Sequence, residues 1–253
     1  MTLQSITSLQ HQLVKHLTKL RQQRSYRKEC GHLVVEGKKL IHDIHSQVEI
    51  HAILTTNTSF IPDKISYKSG YQVTDSIIEK ITGSVSPEGI VAEITIPQQQ
   101  PIDHYESLVV LDRIQDPGNV GTIIRTALAF GWKGIYCIEG TCDVWNDKVI
   151  RSARGASFQI PFQYGSWQQL LELVNNAGAT VYAADLGGEA INTLSTPSGP
   201  IVLVLGNEGQ GLSQEASKNC HKITIPISHA IESLNVSVAG GILMYHLRGK
   251  DHG

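Results

Sequence analysis

No stretch of this sequence approaches the roughly 20 apolar residues that a helix needs to cross a bilayer. Residues Met1–Gln12 are polar and lack the apolar core of a signal peptide. A soluble, cytoplasmic protein is therefore expected. Cysteine is scarce and unpaired: Cys30, Cys137, Cys142 and Cys220 are scattered without a Cys-x-x-Cys spacing. That pattern argues against a zinc knuckle or a disulfide framework and for reduced, partly buried thiols. The eleven histidines are spread out, five of them before Ser46, and form no cluster with cysteine or aspartate, so no metal is expected. Neither the dinucleotide fingerprint nor the P-loop occurs, and there is no internal repeat or low-complexity tract.

Net charge is also small, at −2, but it is unevenly placed. Between Met1 and Leu40 eight bases stand against two acids, leaving +6 there and −8 over the rest of the chain. Arg21, Arg24, Arg27, Lys28, Lys38 and Lys39 in this stretch are candidates to meet phosphates, although a solvated helix face would read the same.

Leu9, Leu13, Leu17 and Leu20 recur at helical spacing, predicting a helix over Ser8–Glu29 with Ser8 as its cap. Strands are expected at Leu33–Val35, Ile50–Leu54 and Gly89–Ile94. Helices are expected from Lys38 and after Thr74, which could cap Ile77, Ile78 and Ile81. Pro97-Gln98-Gln99-Gln100-Pro101 reads as an extended linker. The expected division is a domain over 1–97, a linker over 98–104 and a second domain over 105–253. In the second domain, apolar strands at Ser107–Leu111, Gly134–Ile138, Thr180–Ala184 and Ile201–Leu205 alternate with helices at Val120–Phe130, Trp167–Asn176 and Ser213–Lys218. Strands apolar on both faces imply a mostly parallel sheet covered on both sides. The last helix, Leu234–Leu247, is apolar almost all round, so it is buried or meets another subunit.

Three strand ends carry unusual loops, and ligands of such sheets bind beyond the carboxyl ends of the strands. After Leu111 come Asp116-Pro117-Gly118, a turn, and Asn119, a natural N-cap, with Arg125 about a turn and a half into the helix. Such an arginine could be structural, but its place favours function. After Leu205 come Gly206-Asn207-Glu208-Gly209-Gln210-Gly211, whose glycines allow close backbone approach. Glu208 would repel phosphate and suits a neutral or cationic ligand such as a sulfonium. After the strand Lys222–Ile225, Glu232-Ser233-Leu234-Asn235 opens the final helix, where Ser233 and Asn235 are caps, pocket walls or both.

Asn119-Val120-Gly121-Thr122-Ile123-Ile124-Arg125, Leu205 through Leu212, and Ser233-Leu234-Asn235-Val236-Ser237-Val238-Ala239 together resemble, in order and spacing, the three motifs of the SpoU/TrmH family of RNA methyltransferases in the SPOUT superfamily. Ile6-Thr7-Ser8 and Leu33-Val34-Val35-Glu36-Gly37 resemble that family's N-terminal substrate-binding domain, which is similar to a small ribosomal protein. The resemblance implies an α/β catalytic domain ending in a trefoil knot, S-adenosylmethionine as donor and a homodimer acting on RNA. It implies catalytic roles for Arg125, Asn119, Glu208, Ser233 and Asn235. Donor contacts are implied at Leu205, Gly206, Asn207, Gly209, Ile225, Ile227, Ser233 and Leu234, and an RNA contact at Arg151. The sequence departs from the family where Met is common, at Ile227, and where glycine is common, near His229-Ala230; a bulkier His229 there is expected to narrow the adenine pocket or to alter donor affinity.

A ribose hydroxyl holds its proton, while a sulfonium releases a neutral thioether. Catalysis then requires in-line positioning and easier proton loss from the oxygen. A guanidinium is a poor base, so Arg125 is expected to stabilise the alkoxide and grip a phosphate, oriented by Glu208. Ribosomal RNA is the first expectation for the substrate and transfer RNA the second. A base-methylating SPOUT enzyme, a non-catalytic RNA-binding assembly factor and an unrelated nucleotide enzyme are the competing readings.

Overall fold

The computed structural model describes residues 3–99, 101–102, 105–194, 199–228 and 230–248; Gln100, Asp103 and His104 of the expected linker, and His229, lie outside them. The chain divides into two units, Met1–Gln98 with Trp145–Ile150, and Gln99–Val144 with Arg151–Gly253. Among the described residues no helix is long and apolar enough to cross a membrane.

The first unit runs β1 (Gln4–Ile6), α1 (Gln12–Gln22), α2 (Arg24–Cys30), β2 (His32–Glu36), α3 (Lys38–Ile44), β3 (Ile50–Thr55), β4 (Ser69–Val73), α4 (Asp75–Thr82) and β5 (Ile90–Thr95). Its five strands lie in the order β1-β4-β3-β5-β2. The β1–β4 and β3–β4 pairs are parallel, while β5 runs antiparallel to both β3 and β2. Val14, Leu17 and Leu20 of α1 and Ile77, Ile78 and Ile81 of α4 bury one stripe of each helix against Leu54 and Val91 of the sheet.

The structure corrects the single helix expected over Ser8–Glu29. Helix α1 starts at Gln12, where His11 Nδ1 accepts from the Leu13 amide at 3.2 Å; Ser8 instead accepts from the Gln10 amide in the preceding turn. Gln23 then takes an extended conformation and separates α1 from α2. Thr74 is the N-cap residue of α4, but its hydroxyl meets Ser76 at 2.9 Å rather than a backbone amide.

Arg27 explains the break at Gln23. It is buried, and its Nη1 donates to the carbonyls of Leu20 at 2.7 Å and Arg21 at 2.9 Å, carbonyls that the end of α1 leaves without partners. Arg27 therefore holds a helix end, which corrects its assignment to phosphate contact.

The remainder of the chain runs β6 (Ser107–Asp112), α5 (Pro117–Ala129), β7 (Gly134–Ile138), α6 (Asp147–Ala153, divided between the units after Ile150), β8 (Phe162–Gly165), α7 (Trp167–Ala177), β9 (Thr180–Ala190), β10 (Ile201–Gly206), α8 (Gln214–Asn219), β11 (His221–Thr224) and α9 (Val236–Leu247). The six strands lie in the order β11-β9-β10-β6-β7-β8, and every neighbouring pair is parallel. Leu108, Val110, Val202 and Val204 face Leu170 and Val174 of α7 on one side. Helix α9 packs on β10 and α5. The approach is close because a Cβ on Gly240 would lie only 2.6 Å from Leu205 Cδ1. The Trp132 indole donates to the Met244 carbonyl at 3.2 Å within this layer.

Arg27→Ala should destabilise the full chain by about 3 kcal/mol in urea unfolding, since it removes a buried charged donor from two carbonyls. Lys28→Ala, one residue further on and exposed, should stay within about 0.5 kcal/mol of the parent. Equal effects of the two would contradict this role for Arg27.

Candidate active site

Strands β6 and β10 pair in register up to Asp112 and Gly206. Strand β7 flanks β6 on one side and β9 flanks β10 on the other, so the sheet's connections diverge here and leave a crevice beyond the strand ends. Asp112 is fully buried: its Oδ2 accepts from the Ser213 amide at 2.8 Å, and its Oδ1 accepts from the Trp167 indole at 3.3 Å. Arg113 Nε stands 3.4 Å from Oδ1, an ion pair rather than a well-aligned hydrogen bond. Burial pushes the Cys220 thiol up to about 12, and the Asp112 charge adds to the shift.

Arg113 has a φ of 61°, an uncommon conformation for a residue with a side chain. Its carbonyl accepts from Asn207 Nδ2 at 2.8 Å, which ties the two loops together. Asn207 Oδ1 accepts from the Gly209 and Gln210 amides, both at 3.0 Å, and the Asn207 and Gly211 backbones bond in both directions. The glycine loop is thus a small closed hairpin. Gly206 sits so near its return that a Cβ would stand 2.8 Å from the Gly211 carbonyl.

The third loop joins through a chain of amides. Asn119 Nδ2 donates to Glu208 Oε1 at 2.9 Å, and Asn235 Nδ2 donates to Asn119 Oδ1 at 3.0 Å. Asn235 Oδ1 caps α9, accepting from the Ser237 amide at 2.9 Å and its hydroxyl at 2.6 Å. Asn119 is not the N-cap of α5. Asp116 caps that helix, accepting the Asn119 amide at 2.8 Å with Pro117 in the first turn, and this leaves the Asn119 side chain free for the network. Glu208, expected to orient Arg125, bonds Asn119 instead. Arg125 lies on the exposed face of α5 with Thr122 and Ala129, and its guanidinium carries no hydrogen bond or ion pair among the described residues.

A cavity of about 480 Å³ opens beside this network, a volume typical of small-molecule sites. Gly206, Asn207, Glu208, Ile225, Ile227, Ser233, Leu234 and Asn235 line it; Leu205, Gly209, Asn119 and Arg125 do not. Leu205 is buried against Gly240, and Gly209 is at the exposed hairpin tip. Ala184, Asp185 and Leu186 of β9 form a wall that the sequence reading missed. Its signal was Asp185-Leu186-Gly187-Gly188 directly after the apolar run Thr180–Ala184, although the structure continues β9 through these residues to Ala190. Asp185 pairs with Lys222 at 3.2 Å, and Leu186 is 63% exposed. Carboxylates at Glu208 and Asp185, apolar walls and exposed backbone groups suit S-adenosylmethionine, which is cationic at sulfur and carries a flat base.

Arg151, on α6, is exposed. In the first unit Arg24, Lys28, Lys38 and Lys39 are exposed, with Lys38 donating to the Ser59 carbonyl at 3.1 Å, and Arg21 is half-buried beside Gly83.

Residues 106–245 match the model of the SpoU rRNA methylase family, and residues 11–92 match the MRM3-like substrate-binding domain. An uncharacterized tRNA/rRNA methyltransferase of Synechocystis is 35% identical over 96% of this chain and 93% of its own length. The 23S rRNA (guanosine(2553)-2'-O)-methyltransferase RlmP of Bacillus subtilis is 31% identical over 98% of this chain and 100% of its own. The S-adenosylmethionine-bound rRNA methyltransferase of Sinorhizobium meliloti superposes with a TM-score of 0.86 and 29% identity, each chain 97% covered.

Asn235→Ala should cost about 1 kcal/mol of stability by uncapping α9 and should also release Asn119. Asn235→Asp should keep the cap while losing the donor to Asn119. Chemical unfolding and donor calorimetry separate the two: Asp should restore stability but not donor affinity. Full recovery of both would contradict a role for the amide chain.

Proposed function

Because the chain belongs to the SpoU rRNA methylase family and is an S-adenosylmethionine-dependent RNA methyltransferase, we propose that it methylates a ribose 2′-hydroxyl of ribosomal RNA. The observation that carries this reading is the hydrogen-bonded chain Glu208–Asn119–Asn235, which brings three distant loops to the rim of one cavity. Likeness to the B. subtilis enzyme over nearly the whole chain favours ribosomal RNA and the 2′-oxygen.

The bound donor supplies a methyl group on a sulfonium and leaves as a neutral thioether. Glu208 and Asp185 favour its positive charge, while Leu186, Ile225 and Ile227 cover apolar surface. Asn119, Ser233 and Asn235 position the ribose at the cavity rim. Arg125, without a partner among the described residues, stabilises the oxygen as its proton is lost and grips the adjacent phosphate, the kind of fixed electrostatic aid that speeds reactions most. The final segment, from β11 to α9, is threaded as a trefoil knot.

Helix α9 exposes Val238, Ile242 and Tyr245 on one stripe, and Tyr245 continues onto Phe130 beyond α5 through an edge contact at 5.4 Å. A homodimer covers this face and encloses Arg125, so that the arginine acts in a site shared by two subunits. The domain over 1–97, with exposed Arg24, Lys28, Lys38 and Lys39, holds the RNA, joined by Arg151. The enzyme works in the cytoplasm.

Arg125→Ala should lower turnover at least about 100-fold while donor affinity changes little. Transfer of labelled methyl followed by nuclease digestion should yield a 2′-O-methyl nucleoside from ribosomal RNA; a methylated base, or near-parental turnover in the variant, overturns the assignment. Ile242→Asp should yield monomers in sedimentation, with activity lost. A fully active monomer would refute the shared site.

A further inference from the structure

Three ligand-type side chains distant in sequence meet in the first unit. His16 projects from α1, His32 opens β2 and Glu93 lies in β5, with one ligand atom of each within 4.8 Å of the others. Glu93 is 6% exposed, and one oxygen, Oε1, meets both His16 Nε2 at 2.9 Å and His32 Nδ1 at 2.7 Å. A buried carboxylate needs a positive partner. Among the described residues its ion-pair partners are these two imidazoles, with no lysine or arginine.

The surroundings orient both rings as metal ligands are usually oriented, through their other edges and faces. His16 Nδ1 lies 2.8 Å from the Tyr26 hydroxyl, so a proton on Nδ1 leaves the Nε2 lone pair directed at Glu93. His32 stacks on His51 with ring centroids 3.9 Å apart. His51 is itself fixed by Thr95 Oγ1 at 2.8 Å. A tetrahedral ion with bonds of about 2.0–2.2 Å holds its ligands about 3.3 Å apart, roughly half an ångström wider than these hydrogen bonds.

We propose that His16 Nε2, His32 Nδ1 and the Glu93 carboxylate bind one divalent ion of the zinc class, clipping α1 to the β2–β5 edge with a fourth position open to water. Two imidazoles and one carboxylate suit zinc, cobalt, nickel or copper better than magnesium or calcium. The ion would be structural, joining a helix to the strands it packs against.

The test uses untagged full-length protein, stripped with chelator and titrated with Zn²⁺ by calorimetry and with Co²⁺ by visible absorption. One equivalent should bind, with tetrahedral cobalt bands and a raised Tm. His32→Gln and Glu93→Gln should each lose the bands and at least about tenfold in affinity, while His221→Gln should keep both. Failure of the parent protein to bind either ion stoichiometrically overturns the proposal whether or not the variants fold. So does undiminished binding in folded His32→Gln. Methyl transfer is read separately and does not enter these measurements.

Discussion

Asp112 and Gly206 close two neighbouring parallel strands in register, so the loops that follow leave the sheet side by side. Everything in the candidate active site inherits that placement. The Asp112 carboxylate, fully buried, fixes the start of α8 through the Ser213 amide, and the backbone of its neighbour Arg113 is fixed by Asn207. A buried carboxylate without its Ser213 and Trp167 donors would cost several kcal/mol, so the loop after β10 is held by a group that the fold cannot leave unsatisfied.

On that frame, one amide joins what the sheet only brings near. Asn119 donates to Glu208 and accepts from Asn235, each neutral or charged link contributing about 1 kcal/mol or somewhat more. Linked bonds polarise one another. Because Asn235 also caps α9, the geometry of the rim and the start of the last helix are set together. Asn119 can do this only because Asp116 and Pro117 have already begun α5.

The catalytic half of the chain was legible because burial on both faces writes itself as unbroken apolar runs, as in β6, β7 and β10. Strands β1 and β4 were not, since each buries a single side chain, Ile6 and Val73, and shows no alternation. Arg27 stands in a run of bases, and nothing local distinguishes the arginine that turns inward to a helix end. Asp116 and Asn119 are both good caps, and proline immediately after Asp116 was the signal that decides between them. The three motifs named most of the cavity wall, but not which side chains bond to which. His16, His32 and Glu93 escaped because sheet pairing and the packing of α1 on the sheet unite them across 61 and 77 residues, beyond any spacing rule.

Any side chain at Gly206 would collide with the Gly211 backbone of its own hairpin, whereas Leu186, which also lines the cavity, is mostly uncovered. Engineering the enzyme to carry bulkier alkyl groups would therefore have its freedom on the β9 side. Trimming Leu186 enlarges the chamber without disturbing a single hydrogen bond of the rim, while any change at the glycine turn dismantles the wall it is meant to reshape.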